Sequence, residues 1–159
     1  MTASHEKTLL WLEDIPKSVE SLIIFARTVF TVKCVSQLHD FAKIIKKKPK
    51  AIVLDIMLNG VYNLDDLGVE KKNLDLDLGY EAGWGVLEHY LRAPNSDFKH
   101  IPVLILSCRT KREKDRKLLD RLNQQESAAS ITFLEKLGDV DWYEQFEKWI
   151  YQVDMGRVQ

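Results

Sequence analysis

Five short apolar runs, separated by amphipathic stretches, constrain this chain more than any other feature. They are Thr8 to Leu12, Thr31 to Val35, Ala51 to Leu58, Ile101 to Leu106 and Ile131 to Leu134. Runs this short, nearly continuous in apolar residues, suit strands buried on both faces of a parallel sheet. The stretches between them follow helical spacing. Val19, Leu22, Ile23, Ala26 and Val29 mark the first helix, with Pro16 in its first turn and Asp14 placed to cap it. Leu38, Phe41, Ala42, Ile44 and Ile45 mark the second, ended by lysines and Pro49. Trp84 to Leu91, Arg112 to Gln125 and Val140 to Val153 complete the set, the last with Trp142, Phe146, Trp149 and Ile150 on its apolar side. Five strands alternating with five helices predict an α/β fold, a doubly wound parallel sheet with right-handed crossovers.

The chain of 159 residues has the length of one domain, predicted to span 7–153 with a tail at 154–159. Hydrophobic content of 45% supports a core. With 23 basic and 24 acidic residues the net charge is −1, which excludes a strongly basic nucleic-acid binder. The basic runs 46–50 and 111–117 read as solvated helix ends and faces. Cys34 and Cys108 lie in apolar stretches and read as buried free thiols. His5, His39, His89 and His100 are isolated from one another, and no cysteine or histidine cluster has metal-ligand spacing. The N-terminus lacks the apolar core of a signal peptide, and no apolar run approaches the ~20 residues of a membrane span. A cytoplasmic protein is the expectation.

One segment breaks the rhythm. Asn59 to Gly83 carries Gly60, Gly68, Gly79 and several aspartates, without a sustained period. Strand-to-helix connections normally take about 2–6 residues, so this is an insertion at the carboxyl edge of the sheet. Its alternation Leu74-Asp75-Leu76-Asp77-Leu78 suggests a short extra strand. The acidic, glycine-punctuated composition predicts a poorly ordered rim that contributes little to stability and governs partner choice.

Four of the apolar runs lead into residues of one chemistry. The first leads into Glu13 and Asp14, the Ala51–Leu54 part of the third into Asp55, the fourth into Ser107, and the fifth, through Glu135, into Lys136. Singly, each has an ordinary structural reading, such as a helix cap or a turn residue. Taken in order, they gather at one edge, because the carboxyl ends of parallel strands face a common crevice. Three carboxylates there call for a hard divalent cation, and oxygen ligands with room for water suit Mg²⁺. A shielded Asp55 can act as a nucleophile towards phosphorus and form an aspartyl phosphate. Lys136 supplies a compact positive charge and Ser107 a hydroxyl donor for phosphoryl oxygens.

These residues resemble those of the receiver domain of two-component response regulators, the CheY-like, flavodoxin-like family. The resemblance rests on LLWLEDIP at 9–16, AIVLDIML at 51–58, GWGVLEHYLR at 83–92, IPVLILSC at 101–108 and FLEK at 133–136. It implies a five-stranded sheet in the order 2-1-3-4-5. It implies that Asp55 is the phosphoacceptor and that Glu13, Asp14 and Asp55 hold Mg²⁺ with the backbone carbonyl of Met57. Ser107 becomes the switch hydroxyl, Phe133 the switch aromatic and Lys136 the phosphoryl-binding lysine. The implied function is a phosphorelay switch without enzymatic turnover of its own. Its partners would be a sensor histidine kinase or phosphotransfer protein, a downstream protein target, and a second copy docked through the fourth helix, fifth strand and fifth helix, with no nucleic acid or membrane involved. The chain departs from the family at Leu137, where proline is usual, at Cys108, where a smaller residue is usual, and in the insertion. Leu137 and the insertion leave open an alternative, a receiver-like binding module that acts without phosphorylation. A small Mg²⁺-dependent phosphatase is disfavoured, since Met57 stands where a second acid would be needed.

Overall fold

The computed structural model describes residues 7–136 and 141–158. Leu137 and the predicted helix start at Val140 lie outside the described residues. The five strands are β1 (Thr8–Leu12), β2 (Thr31–Val35), β3 (Ala51–Leu54), β4 (Val103–Ser107) and β5 (Ile131–Glu135). They form one sheet in the order β2-β1-β3-β4-β5, every pairing parallel. The helices are α1 (Glu20–Ala26), α2 (Leu38–Ile45), α3 (Ala82–Val86), α4 (Glu113–Asn123) and α5 (Trp142–Asp154).

Side chains alternate across a strand, so each central strand feeds two cores. Leu9, Trp11, Val53, Leu104 and Leu106 pack with Leu22 and Ala26 of α1 and Phe146, Trp149 and Ile150 of α5. Leu10, Leu12, Ile52, Leu54 and Ile105 pack with Phe41 and Ile45 of α2, Val86 of α3 and Leu119 and Leu122 of α4. That two-sided burial is why the central runs are apolar from Leu9 to Leu12, Ala51 to Leu54 and Val103 to Leu106. Each leucine fully removed from water contributes about 1.5–3 kcal/mol.

Local structure departs from the sequence expectations at several points. β3 stops at Leu54 and not at Leu58: the chain turns after Asp55, whose carboxylate accepts the Ile56 N–H at 2.7 Å. Helix α1 is preceded by a single 3₁₀ turn, Pro16–Val19, whose entry residue Ile15 makes no side-chain cap. Asp14 is therefore no helix cap, and its Oδ2 accepts the N–H of Asn59 at 3.0 Å. Helix α3 widens into a π turn over Leu87–Leu91. There Arg92 is buried, and its guanidinium donates to the carbonyls of Ile101 at 2.8 Å and Ala129 at 3.0 Å, with longer bonds to Leu91 and Phe98. Burial lowers its pKa to about 10, so it stays charged and closes the amino-terminal end of the sheet. Cys108 is exposed and Cys34 half-buried, so neither is the buried thiol its apolar neighbours suggested.

The segment from Asn59 to Gly83 is not the loose rim its composition suggests. No strand forms over 74–78. Leu64, Leu67 and Leu76 belong to the core on the α2–α3 side, with Leu64 only 1% exposed. The aspartates and asparagine serve as turn formers. Asn63 accepts the Asp65 N–H at 3.1 Å, and Asp75 accepts the Asp77 N–H at 2.9 Å. Each of these side-chain turns leads into a 3₁₀ turn, Asp65–Leu67 and Asp77–Gly79. Over 74–78 Leu76 is buried, Leu74 half-buried and Leu78 exposed, so the leucine–aspartate alternation arises from a turn and not from a strand.

Candidate functional site

Sheet register brings the predicted residues to one edge. Leu12 lies opposite Leu54, and Leu54 opposite Ile105. The next residues of β1 and β3, Glu13 and Asp55, therefore emerge side by side. The ladder continues one step beyond the strands: Glu13 N–H donates to Val35 at 3.0 Å, Asp55 N–H to Leu12 at 3.0 Å and Lys136 N–H to Ser107 at 2.8 Å. Backbone hydrogen bonds thus fix where each functional side chain begins.

Among the described residues, Glu13, Asp14 and Asp55 form a potential metal-binding group, each offering one oxygen within 4.8 Å of the others. Glu13 is 2% exposed and Asp55 6%. Glu13 Oε1 accepts the Ile15 N–H at 3.1 Å, and its Oε2 accepts from Lys136 Nζ at 3.3 Å. Burial, and then the Asp55 charge, push the Glu13 carboxyl up to about 8, against the pull of Lys136. Burial also raises Asp55, opposed by Lys136. One ammonium does not neutralise this many carboxylates in a desolvated crevice. The donor set fits a hard divalent cation: oxygens alone, close enough to share one ion, and short of positive charge.

Met57 is half-buried in the loop after Asp55. Gly83, at the start of α3, holds that loop. Its N–H donates to the Ile56 carbonyl at 2.8 Å, and a Cβ on it would stand 2.1 Å from the Asp55 carbonyl oxygen and 2.5 Å from Ile56 Cα. Only glycine fits this approach. Ser107 is fully buried, and its Oγ accepts the Arg109 N–H at 3.1 Å. Phe133 is half-buried and stacks on Trp84, ring centroids 6.1 Å apart and nearly parallel, with Lys111 Nζ 5.2 Å from the ring centroid.

Sequence reasoning missed an ion cluster beside the site. Glu81, just before α3, accepts from Arg109 at 2.9 Å and from Arg112 at 2.5 Å, with Lys114 at 3.6 Å. Asp115 on α4 pairs with Arg112 at 3.2 Å and closes the start of that helix. Burial opposes ionisation of Glu81, but hydrogen bonds from Arg109 and Arg112 outweigh it and hold the carboxyl below its usual range. The cluster ties the β4–α4 loop to the long β3–α3 connection. The basic run after Ser107 was its only sequence signal, and nothing in the sequence named Glu81 as its partner.

No protein-family model matches the sequence, and no curated protein matches it. Solved structures match it in fold. A structure assigned to a response regulator from Chloroflexus aurantiacus J-10-fl gives a TM-score of 0.59 at 15% identity, over 94% of this chain and 98% of its own. The signal receiver domain of a signal transduction histidine kinase from Syntrophus aciditrophicus gives 0.54 at 17% identity, over 94% of this chain and 91% of its own. The signal receiver domain of a Vibrio parahaemolyticus protein described as a LuxO repressor gives 0.50 at 16% identity, over 97% and 99%. The chain therefore has the fold of response-regulator receiver domains, with the sheet order of that class. Among the described residues, no helix is long and apolar enough to cross a membrane.

Proposed function

We propose that this chain is a phosphorelay receiver that accepts a phosphoryl group on Asp55 from a phosphohistidine of a histidine kinase or phosphotransfer protein. The observation that carries the reading is the convergence of Glu13, Asp14 and Asp55, with Lys136 against them, at the carboxyl edge of a receiver-type sheet. In the transfer, one Asp55 oxygen forms a bond to phosphorus as the bond from phosphorus to the donor nitrogen breaks. The imidazole leaves with that electron pair and is protonated by solvent. Magnesium held by Glu13, Asp14, Asp55 and the Met57 carbonyl supplies positive charge that screens the carboxylates and the incoming phosphoryl oxygens. Lys136 leaves Glu13 for the phosphoryl group, because a dianion is the stronger partner for an ammonium. The Ser107 hydroxyl gives up the Arg109 N–H and donates to a phosphoryl oxygen. Phe133, packed on Trp84, carries the change to the face around α4, β5 and α5, where a downstream target or a second copy binds. The domain acts as a cytoplasmic switch, without turnover of a small substrate.

A second reading, a binding module that acts unphosphorylated, draws on the Lys136–Glu13 pair, which occupies the lysine in a ground state with no phosphoryl group. One experiment separates the two. Intact mass after incubation with acetyl phosphate and Mg²⁺ is expected to rise by one phosphoryl group in the natural protein and to stay unchanged in Asp55→Asn. No mass change in the natural protein would favour the second reading.

A further inference from the structure

At the amino-terminal edge of the sheet, opposite the acidic crevice, lies a cavity of about 570 Å³. Its walls come from the turn between α2 and β3, from the approach to β4 and from the turn between α4 and β5. The chain after α5 closes it with Gly156 and Val158. Backbone bonds hold the walls in place: the Ile52 N–H donates to the Pro102 carbonyl at 3.0 Å, and the Ala129 N–H to the Lys99 carbonyl at 2.7 Å. The volume lies within the ~300–1,000 Å³ of small-molecule sites.

The lining combines apolar and basic groups. Pro49, Ile101, Pro102, Ala129 and Val153 are buried and make an aliphatic floor. Lys48, Lys50 and His100 stand exposed around it, and none has an ion pair among the described residues. Among the described residues no carboxylate lines the cavity, and Asp154, beside Val153, is held by Lys7 at 2.5 Å. No aromatic ring of the described residues lines it either, so a flat base would find nothing to stack on.

Helices of such a sheet end at this edge, and their negative ends disfavour an anion. Buried Arg92 opposes that effect. Its guanidinium engages the carbonyls of Ile101 and Ala129 in the cavity wall, at 2.8 and 3.0 Å, and it has no carboxylate partner among the described residues. A positive charge thus stands behind the wall with no anion set against it. Lys46 and Lys47 directly follow α2 and suit the end of that helix, whereas Lys48 and Lys50 lie beyond it, where the dipole effect fades. Lys48 and Ser127 have left-handed φ, at 54° and 60°. Glycine is the usual residue for such a turn after a helix, as at Gly156 with φ 68°. At 48 and 127 the chain instead accepts strain and brings an ammonium and a hydroxyl to the cavity, and strain of this kind collects at ligand sites.

We propose that this cavity binds a phosphate monoester with a short aliphatic body. The body lies on the floor of Ile101, Pro102 and Val153, and the phosphate sits between Lys48 and Lys50. A phosphate monoester carries close to two negative charges, which matches two ammoniums better than a carboxylate does. The site is separate from Asp55 and stands whether or not that residue is phosphorylated.

Octyl phosphate is the probe, followed by ¹H–¹⁵N NMR on the natural protein. Saturable shifts are expected at Lys48, Lys50, His100, Ala128 and Gly156, with the acidic crevice unmoved. Octanol, which lacks the charge, and inorganic phosphate, which lacks the body, are expected to bind about tenfold more weakly or worse. The double variant Lys48→Asn, Lys50→Gln is expected to weaken octyl phosphate about tenfold or more and to leave octanol within about twofold. Both positions are exposed, and asparagine tolerates the left-handed backbone at 48, so the variant keeps the fold. The proposal is overturned by the absence of saturable shifts at the cavity, by octanol or inorganic phosphate binding as tightly as octyl phosphate, or by a double variant that binds as the natural protein does. Co-sedimentation with phosphatidylcholine vesicles containing phosphatidic acid, without saturable binding of octyl phosphate, also overturns it, by assigning the basic rim to a membrane surface.

Discussion

Lys136 Nζ lies 3.3 Å from Glu13 Oε2, with the two side chains 9% and 2% exposed. On the proposed function, the lysine that would bind the phosphoryl group is thus held by the carboxylate that a metal would engage. Among the described residues Lys136 is the cation whose charge opposes the raising of Glu13 and Asp55, and its removal leaves their repulsion unopposed by it.

The first prediction concerns pH. Burial and Asp55 raise the Glu13 carboxyl to about 8, so the folded, metal-free protein binds this proton more tightly than the unfolded chain. Its contribution is fully favourable below the ordinary glutamate value of 4.5 and is lost as pH rises towards 8. Glu13→Gln is expected to flatten that decline and to raise the melting temperature in EDTA at pH 8 by about 2–4 °C or more. Millimolar Mg²⁺ is expected to restore the natural protein and leave the variant little changed. Thermal unfolding across pH 5–8.5 checks both, and a variant that melts lower than the natural protein in EDTA at pH 8 would count against the charge conflict.

Gly83→Ala is expected to cost about 2–3 kcal/mol, because its Cβ meets the backbone of Asp55 and Ile56, which has no side-chain freedom with which to yield. Denaturant unfolding gives the energy. Acetyl phosphate labelling of the variant is expected to fall too, since the displaced loop carries Asp55, the proposed acceptor.

The long connection is expected to behave as core. Leu64→Ala and Leu76→Ala should each lose about 2–5 kcal/mol, the range for a buried leucine. Replacing 59–80 by a short turn should lower the melting temperature sharply. A melting temperature within a degree or so of the natural protein's would show these leucines to be dispensable.

Glu81 is expected to clamp the connection to the β4–α4 loop. Glu81→Gln should cost about 1 kcal/mol, as two hydrogen bonds from arginine lose the negative charge of their acceptor. Its pKa is lowered on folding, so the difference between natural protein and variant is fully present above 4.5 and fades as pH falls through the folded value. Urea unfolding at pH 7 and at about pH 3 reads that window. Amide exchange over 74–81 should quicken in the variant.

The layout of the sheet was legible because burial on both faces leaves no choice of residue. A strand such as Ala51–Leu54 must be apolar throughout, and a polar residue at its end, Asp55, marks the crevice. The position of the candidate site was legible for the same reason: Glu13 and Asp55 follow such strands, Ser107 ends one, and Lys136 follows β5. The connection after β3 was misread because leucine–aspartate alternation has two physical sources. A half-buried strand makes it, and so does a side-chain turn, here with Leu76 buried and Leu78 exposed. Period alone does not separate them. Asp14 was misread as a cap because proline two residues on is a local signal, while its hydrogen-bond partner Asn59 is distant in sequence.

The sequence by itself determined the alternation of strands and helices, the parallel sheet they build, and the residues at its carboxyl edge. These follow from local periodicity and from the rule that parallel strands end in one crevice. Only the tertiary structure decided which charges meet. Lys136 reaching Glu13, Glu81 gathering Arg109 and Arg112, and Gly83 lying against Asp55 join residues remote in sequence. Such contacts depend on distances of a few ångströms set by strand register and helix packing, and a one-dimensional pattern of residue types carries no measure of them.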